Sequence, residues 1–525
     1  ADWGLLINNW MTWAGSLLIL RLSVSADWLC IQSNRLVSPR EPYPLPVNLA
    51  KVDKSEHLST ATGVGGMEEN WAAEEFRTLD LGDARLKRRA VRVVEALAAQ
   101  PGASIPKACG NEADTKAAYR LLSSEAVDPA ELRRAHAEAT ARRAGESRIV
   151  KVLSDTTRLD YTSHPALRGA GMLESEYGYG LMVHSALVLD EQDVPLGLLH
   201  QQVWSRPVEE AGKRYTRKER ETREKESAKW METIAACDRL LPLHVKAWVI
   251  GDRESDVFDV FAAPRSARLE VVVRAAQNRR VQSESGQKLL EAVAQAPVAG
   301  KLTVSVQRSR KRGAREAELE VQYCRMELLP PLDHLHRKTL SPVPVSVVRV
   351  RECGTVPAGE EPIEWVLVTT VYVGSLEEAI EIVHAYAQRW KIERYHYTLK
   401  SGCRIEDLQL ESADRLERAL ALYNVVAWRL LRLTYWARKE PEAPCTVALA
   451  EEEWQALLVA DGVKKLPAKP PTLRDAVRRI AKLGGFQGRK GDGEPGVQCL
   501  WWGFRRLMDL TLMYRQMRET FVGNG

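Results

Sequence analysis

Residues 148–155 read Arg-Ile-Val-Lys-Val-Leu-Ser-Asp, a short run dominated by Ile, Val and Leu that ends in an acid. A run of this length and composition predicts a buried β-strand. Residues 245–252 form a second run of the same kind, which also ends in an aspartate. The sequence therefore predicts two strands that each bring a carboxylate to the rim of a sheet.

Further strands and helices surround this pair. Residues 181–189, 196–204 and 269–274 predict three more strands, and residues 230–241 predict a helix. Strand-rich sequence then fills residues 285–372, and helical sequence returns at 376–400 and 416–438. This order predicts a mixed α/β domain with a β subdomain inserted at about 285–372.

Helical periodicity marks the rest of the chain on both sides of this domain. Apolar residues recur at three- and four-residue spacings from Trp71 to about Ala144, and a last helical region begins at Thr472. The basic run at 85–89 would let the first region lie against DNA, although a plain helical bundle explains the pattern equally well. The predicted divisions are a helical domain at 67–145, the α/β domain at 146–440 and a helical region at 441–525.

The first 66 residues differ from the rest. No charged residue occurs from Trp3 to Leu20, but Asn8, Asn9 and Gly15 interrupt the apolar run and argue against a membrane segment. We interpret residues 1–66 as a non-native or disordered extension upstream of a start at Met67.

Composition narrows the class of partner. The 525 residues are 45% hydrophobic and 28% charged, as in a globular protein of several domains. The net charge is only +5, yet basic runs recur at 85–89, 214–220 and 308–312. Any one run is ordinarily a solvated face, but several in one chain favour a long polyanion as the binding partner.

The eight cysteines contain no Cys-x-x-Cys pair, which argues against a zinc site and a disulfide framework.

The two strand-end acids, Asp155 and Asp252, are candidate metal ligands. Carboxylates that converge at one rim supply the hard oxygen ligands that Mg²⁺ and Mn²⁺ prefer. Two such ions can activate the attacking oxygen and stabilise the leaving one in phosphodiester cleavage. Each aspartate alone is a weak signal, since many aspartates at strand ends are helix caps or turn residues.

A more specific pattern lies in the helical stretch 386–400. Tyr386, Arg389, Glu393 and Lys400 occur at offsets 0, 3, 7 and 14. At about 100° per residue these four side chains share a stripe roughly 60° wide. Glu393 can complete a metal site while the cations hold phosphates beside it. The alternative is a surface helix whose charges form pairs four residues apart.

These motifs resemble those of a known family. The pattern Tyr386-x2-Arg389-x3-Glu393-x6-Lys400 resembles the YREK signature of the insertion-sequence-four family (Tn-five-like) of DDE transposases. Asp155-Thr156-Thr157 and Asp252-Arg253-Glu254 resemble its first two acidic motifs, and the likeness runs from about Trp71 to about Arg518. Further motifs that match are 225–230, Trp365, 81–85, 118–120 and 483–486. Relatives carry an additional lysine where this chain has Tyr397, which puts the fine contacts to the DNA end in doubt.

The resemblance implies a ribonuclease-H-like catalytic domain with a β insertion, a DNA-binding domain before it and a dimerisation region after it. It implies that Asp155, Asp252 and Glu393 bind two Mg²⁺ ions, with Mn²⁺ able to substitute. Trp365 would stack on a base flipped from the duplex, with a core tryptophan beside the strand 366–368 as the alternative. The other residues implied to contact DNA are Tyr386, Arg389, Lys400, Arg253, Arg274, Arg85, Lys87 and Arg88.

The implied activity is cut-and-paste transposition. It comprises cleavage at the 3′ ends of the element, hairpin formation and strand transfer into target DNA by a homodimer that joins two ends. A bacterial cytoplasmic protein, bound to the nucleoid through DNA and not to a membrane, is expected. Two alternatives stay open: a ribonuclease-H-like nuclease that cuts without joining, and an inactive DNA-binding descendant of a transposase. A glycosidase that uses paired carboxylates is remote.

Overall fold

The computed structural model describes residues 29–30, 71–173, 178–206, 226–284, 286–306, 315–489 and 492–522. Except for the two-residue strand β1 (Leu29–Cys30), the interpretation of residues 1–66 lies outside the described residues. The N-terminal region is helical, as predicted, and its helices are α1 (Trp71–Glu75), α2 (Ala84–Ala99), α3 (Ile105–Cys109), α4 (Glu112–Ser123) and α5 (Pro129–Ala144). Side-chain caps explain three of the starts, because Asp83, Asn111 and Asp128 each accept a bond from a first-turn backbone N–H.

One mixed sheet of eleven strands forms the centre of the molecule. Its first part contains β2 (Ile149–Asp160), β3 (Gly171–Met172), β4 (Tyr179–Leu189), β5 (Pro195–Trp204), β6 (Lys246–Gly251) and β7 (Leu269–Arg274). Strands β7, β6 and β2 are parallel neighbours, and β4 and β5 continue the sheet antiparallel. This order, β7-β6-β2-β4-β5, is that of the ribonuclease-H-like sheet that the resemblance implied.

Both faces of this sheet are covered, which is why its strands read as nearly continuous apolar runs. On one face Val150 and Val152 pack with Trp230 and Ile234 of helix α6 (Ala228–Leu240). On the other face Leu153 belongs to a larger core that includes the long buried helix described below. Two short helices, α7 (Phe258–Ala262) and α8 (Leu289–Gln295), flank β7 in the sequence.

The predicted β insertion exists, but it is not a separate sheet. Its strands are β8 (Val298–Val306), β9 (Arg315–Leu328), β10 (Val343–Cys353) and β11 (Glu364–Thr369). They pair antiparallel in sequence order, and β11 pairs antiparallel with β7, so that Thr369 lies opposite Val272. The insertion therefore extends the catalytic sheet from its β7 edge. Strand β1 pairs with β8 at the far end.

The helical stretch predicted at 376–400 is not continuous. It consists of α9 (Leu376–Ala387), α10 (Trp390–Tyr397) and a π-helical turn (Thr398–Gly402). Between the two helices, Arg389 N–H bonds the carbonyl of Tyr386, and Ile392 N–H bonds that of Arg389. These three-residue spacings tighten the backbone, and the π-turn then widens it. The stripe of four side chains is therefore spread over three elements.

A long helix and three shorter ones complete the chain. Helix α11 (Ala413–Lys439) follows a 3-10 turn at Ile405–Asp407 and is largely buried. Helices α12 (Glu451–Ala460), α13 (Leu473–Leu483) and α14 (Val497–Val522) form the C-terminal region. No helix in the described part of the chain is long and apolar enough to cross a membrane.

Candidate active site

Two acids meet at the rim of the sheet because of strand register. Leu153 of β2 is paired with Ile250 of the parallel strand β6, so Asp155 and Asp252, two residues further on, are level with each other. Neighbouring strands lie about 4.8 Å apart. Gly251 is required before Asp252, since a Cβ there would collide with the side chain of Ser255. The register thus brings together two of the three predicted acids.

Glu393 of α10 is joined to this pair through Arg389. The Arg389 guanidinium forms an ion pair with Glu393 and lies 4.0 Å (Nη1 to Oδ1) from Asp155. Both acids are partly shielded, with side chains 34% and 19% exposed respectively. Arg389 therefore bridges the acid on the helix and the acid on the strand.

The electrostatics of the three acids show that they act on one another. Burial and, next, the negative charge of Asp155 raise the pKa of Asp252 to about 6. Burial also raises the pKa of Glu393. The positive charge of Arg389 lowers this pKa, and the negative charge of Asp155 partly cancels that lowering. Burial alone would raise the pKa of Asp155 too, but His396 and Arg389 hold it below its usual value. Mutual repulsion of this kind is what a shared cation relieves.

Two histidines at this site were not predicted from the sequence. His396 Nδ1 lies 3.6 Å from Asp155 Oδ2, and its Nε2 is buried without a hydrogen-bond partner among the described residues. The spacing Glu393-x2-His396 places both on one helix face, so a signal for His396 existed. His184 bonds the hydroxyl of Thr156 at 2.9 Å, a contact set by the pairing of β2 with β4.

Tyr386, Trp365 and Arg274 form a second cluster beside the acids. The rings of Trp365 and Tyr386 pack edge to face at 5.2 Å, and the Arg274 guanidinium lies 6.0 Å from the Trp365 ring. Trp365 is only 3% exposed, and its Nε1 has no partner among the described residues. A flipped base could reach this ring only after Trp365 or Tyr386 moves. Tyr386 is also buried, which raises the pKa of its hydroxyl.

Lys400 and Arg253, two further predicted contacts, occupy different positions relative to the acids. Lys400 is in the π-turn, and its ammonium contacts the carbonyl of Arg158 at 2.8 Å and the carboxylate of Glu406 at 2.9 Å. Arg253 is exposed in the turn directly after Asp252. Lys400 therefore lies along β2, beyond Asp155, whereas Arg253 borders the acids.

Helix α2 presents a row of arginines to one groove. Arg85, Arg88, Arg89 and Arg92 line this groove with residues of α3 and α4. The ammonium of Lys87 instead bonds the carbonyl of Arg77 at 2.5 Å. Arg92 was missed, and Arg89 was noted only as part of the basic run at 85–89, although spacings of three and four residues from Arg85 and Arg88 place both on the same face.

The donor set suits a hard divalent cation. The three carboxylates supply the oxygen ligands that Mg²⁺ prefers, and the raised pKa values of Asp252 and Glu393 reflect negative charge that a cation would compensate. Among the described residues, however, no group of three His, Cys, Asp or Glu side chains is close enough to surround a metal ion. Arg389 lies between Asp155 and Glu393 and supplies positive charge there, which explains why these carboxylates stand too far apart to surround one ion.

Comparison with protein families assigns the parts of the chain. Residues 68–127 match the family described as transposase DNA-binding, and residues 223–429 match the transposase DDE domain. Residues 425–519 match the transposase Tn5 dimerisation domain. The DDE match contains Asp252 and Glu393, whereas Asp155 precedes it. Enzymes with this domain use divalent metal ions. The chain is therefore a DDE transposase, a polynucleotidyl transferase with a DNA-binding domain before its catalytic domain and a Tn5-type dimerisation domain after it.

Proposed function

We propose that this transposase moves DNA by a cut-and-paste reaction and that Asp155, Asp252 and Glu393 are its catalytic acids. The observation that carries this proposal is the level pairing of Asp155 with Asp252, together with the bridge from Asp155 through Arg389 to Glu393. No single motif brings acids from a central strand, its neighbour and a distant helix to one rim. The ribonuclease-H-like fold does so.

In this proposal the three carboxylates hold two Mg²⁺ ions, and Mn²⁺ can replace them. When bound, the ions activate the attacking oxygen and stabilise the leaving oxygen at phosphorus. Cleavage at the 3′ end, hairpin formation and strand transfer differ only in the nucleophile, so one site can serve each of them. Hairpin formation and strand transfer require the DNA end to stay bound after the first cut.

The cations beside the acids would keep the DNA end bound after the first cut. The planar guanidinium of Arg389 can bind a phosphate with two parallel hydrogen bonds, and it already lies between two of the acids. Tyr386 lies near it, Arg274 lies beside Tyr386 and Trp365, Arg253 borders Asp252, and Lys400 lies further along β2. We include Trp365 as the stacking platform for a flipped base, with the ring movement that its burial requires.

The DNA-binding domain would take a neighbouring part of the same end. Arg85 and Arg88 line the groove on α2, and Arg89 and Arg92 extend it. Four arginines on one groove neutralise phosphates irrespective of sequence, so they set affinity and register rather than base preference. We place the homodimer that joins two ends on the C-terminal region, in keeping with its dimerisation domain.

The test uses a duplex that carries the inverted repeat flanking the gene, with Mg²⁺ and a target plasmid. Asp155→Ala, Asp252→Ala and Glu393→Ala should each abolish Mg²⁺-dependent cleavage and leave binding of the duplex largely intact. Glu377→Ala, an exposed acid in the first turn of α9, is the matched control and should cleave normally. Cleavage retained in any two of the acid variants would remove the assignment.

The products distinguish the alternatives. A wild-type protein that cuts the duplex but never joins it to the plasmid would be a nuclease without strand transfer. One that binds the duplex and does not cut it would be an inactive descendant. Joined products that depend on all three acids support the proposed reaction.

A further inference from the structure

The segment that carries Lys400 is fastened to the end of β2. One oxygen of Glu406 lies 2.9 Å from the Lys400 ammonium and also accepts the backbone N–H of Asp160 at 2.8 Å. The Tyr161 hydroxyl donates to the carbonyl of Ile405 at 2.9 Å, so the turn Ile405–Asp407 is held at two points. The carboxylate of Glu406 thus connects the strand with the lysine.

The geometry leaves Lys400 able to contact one more group. An ammonium has three N–H donors, and the carbonyl of Arg158 and the carboxylate of Glu406 take two of them among the described residues. Arg158 follows Asp155 by three residues on the same strand. The ammonium is therefore held roughly 10 Å along β2 from the catalytic acid, about three nucleotide steps along a duplex axis.

We propose that Glu406 is a positioning residue for Lys400: it fixes the ammonium at the end of β2 with one donor directed to a DNA phosphate. The proposal rests on the function proposed above, in which Lys400 grips the DNA end. Lysine side chains have much rotamer freedom, and a lysine already held in place loses less of it on binding.

The charge of Glu406 makes the proposal specific. A carboxylate this near a phosphate repels it, so Glu406 contributes orientation and not attraction. A glutamine would keep the oxygen that accepts from Asp160 and Lys400 while it removes the repulsion. An alanine would remove the acceptor altogether. The two substitutions therefore separate position from charge.

The experiment is a double-mutant cycle on binding of the inverted-repeat duplex, measured over a range of salt concentrations. Lys400→Ala should weaken binding about tenfold and lower the salt slope by about one phosphate contact. Glu406→Ala should weaken binding about tenfold with Lys400 present and have no further effect when Lys400 is already alanine. Glu406→Gln should bind within about twofold of the wild type or more tightly.

Glu411→Ala is the matched control, because Glu411 is an exposed acid that pairs with Arg168 and Arg415 rather than with Lys400. Binding losses that add in the double variant would show that Glu406 acts on the fold alone, and would overturn the proposal. So would a Glu406→Ala protein that binds more tightly than the wild type. These results are independent of the cleavage assay on the three acids, which tests the proposed function itself.

Discussion

Asp256 lies four residues after Asp252, and its carboxylate holds the structure together beside the site. It is fully buried, pairs with Arg279 at 2.6 Å and accepts the backbone N–H groups of Ala276 and Gln277. It therefore fastens the chain that leaves β7 to the turn that follows Asp252. Removal of one partner from a buried ion pair leaves an uncompensated charge.

We expect Asp256→Ala to lower the free energy of unfolding by about 3–5 kcal/mol, because Arg279 would lose its buried partner. Urea denaturation followed by circular dichroism measures this change. Glu381→Ala, which removes an exposed acid of α9, is the control and should change stability by less than about 0.5 kcal/mol. Equal effects of the two substitutions would contradict the structural role of Asp256.

The buried carboxylate of Glu75 makes the stability of the fold depend on pH, which the sequence does not reveal. Burial would raise the pKa of Glu75, but contacts with His136 at 2.5 Å and Arg143 at 2.8 Å hold it at about 2, below the usual 4.5. A carboxyl whose pKa is lower in the folded than in the unfolded protein stabilises the fold at pH values above its unfolded pKa. This contribution is lost as the pH falls towards the folded pKa.

The wild type should therefore lose stability as pH falls from about 4.5 to about 2, and Glu75→Gln should lose less over that interval. Unfolding free energies measured at several pH values test this. Parallel curves for the two proteins would show that Glu75 is not the group responsible.

Single residues of the site were predictable only where a motif carries them. Asp155, Asp252 and Glu393 could be proposed from strand ends and from the helical spacing, and the structure places them at one rim. Their catalytic roles stay predictions. Glu406 and His184 were not foreseen, because each acquires its partner through a contact between segments far apart in the chain.

At the scale of elements, helix α14 offers the surface most suited to dimerisation. Trp502, Met513 and Met517 are 48%, 60% and 55% exposed, and at about 100° per residue they lie within about 60° of one another. Exposed apolar stripes of this kind mark sites of association. Leu507 on the same helix is buried within its own chain and does not belong to this surface.

Met513→Asp should prevent the pairing of two DNA ends, because a buried charge without a partner is costly at an interface. Light scattering on complexes with the inverted-repeat duplex should then show one protein per complex instead of two. Arg518→Asp, about 140° away from Met513 around α14, is the control and should still pair the ends. Loss of pairing in the control alone would place the interface on the opposite side.

The kinds of element were more predictable than their connections. Apolar runs indicated β8 to β11 as a β subdomain inserted into the α/β domain, but local pattern carries no information that β11 pairs with β7. Likewise, helical spacing indicated residues 376–400 but not the tightened backbone at Arg389 or the π-turn at Lys400. Both details depend on packing against distant parts of the chain.

At the scale of the whole molecule, all three regions meet at the turn after Lys400. A Cβ on Gly102 of the N-terminal domain would lie 2.5 Å from the carbonyl oxygen of Gly402. A Cβ on Gly402 would lie 2.7 Å from Trp501 of α14. Tyr397 packs on the same tryptophan, with ring centroids 5.4 Å apart. The DNA-binding and dimerisation regions thus contact one turn of the catalytic domain.

Gly402→Ala should lower the free energy of unfolding by about 1–3 kcal/mol, since the added methyl group cannot fit against Trp501. Gly496→Ala is the matched control, because a Cβ there would meet nothing within 4 Å. Chemical denaturation of both variants measures the difference. An unchanged midpoint for Gly402→Ala would mean that the junction is loosely packed.

The position of Arg389 also has a consequence for handling the protein. Many metalloproteins lose thermal stability in chelators because the free energy of metal binding is lost and bare carboxylates repel one another. Here the guanidinium already offsets part of the charge of Asp155 and Glu393 without any metal. The melting temperature should therefore fall only slightly in EDTA relative to buffer with Mg²⁺, while Arg389→Met should melt at a much lower temperature in EDTA and recover when Mg²⁺ is restored.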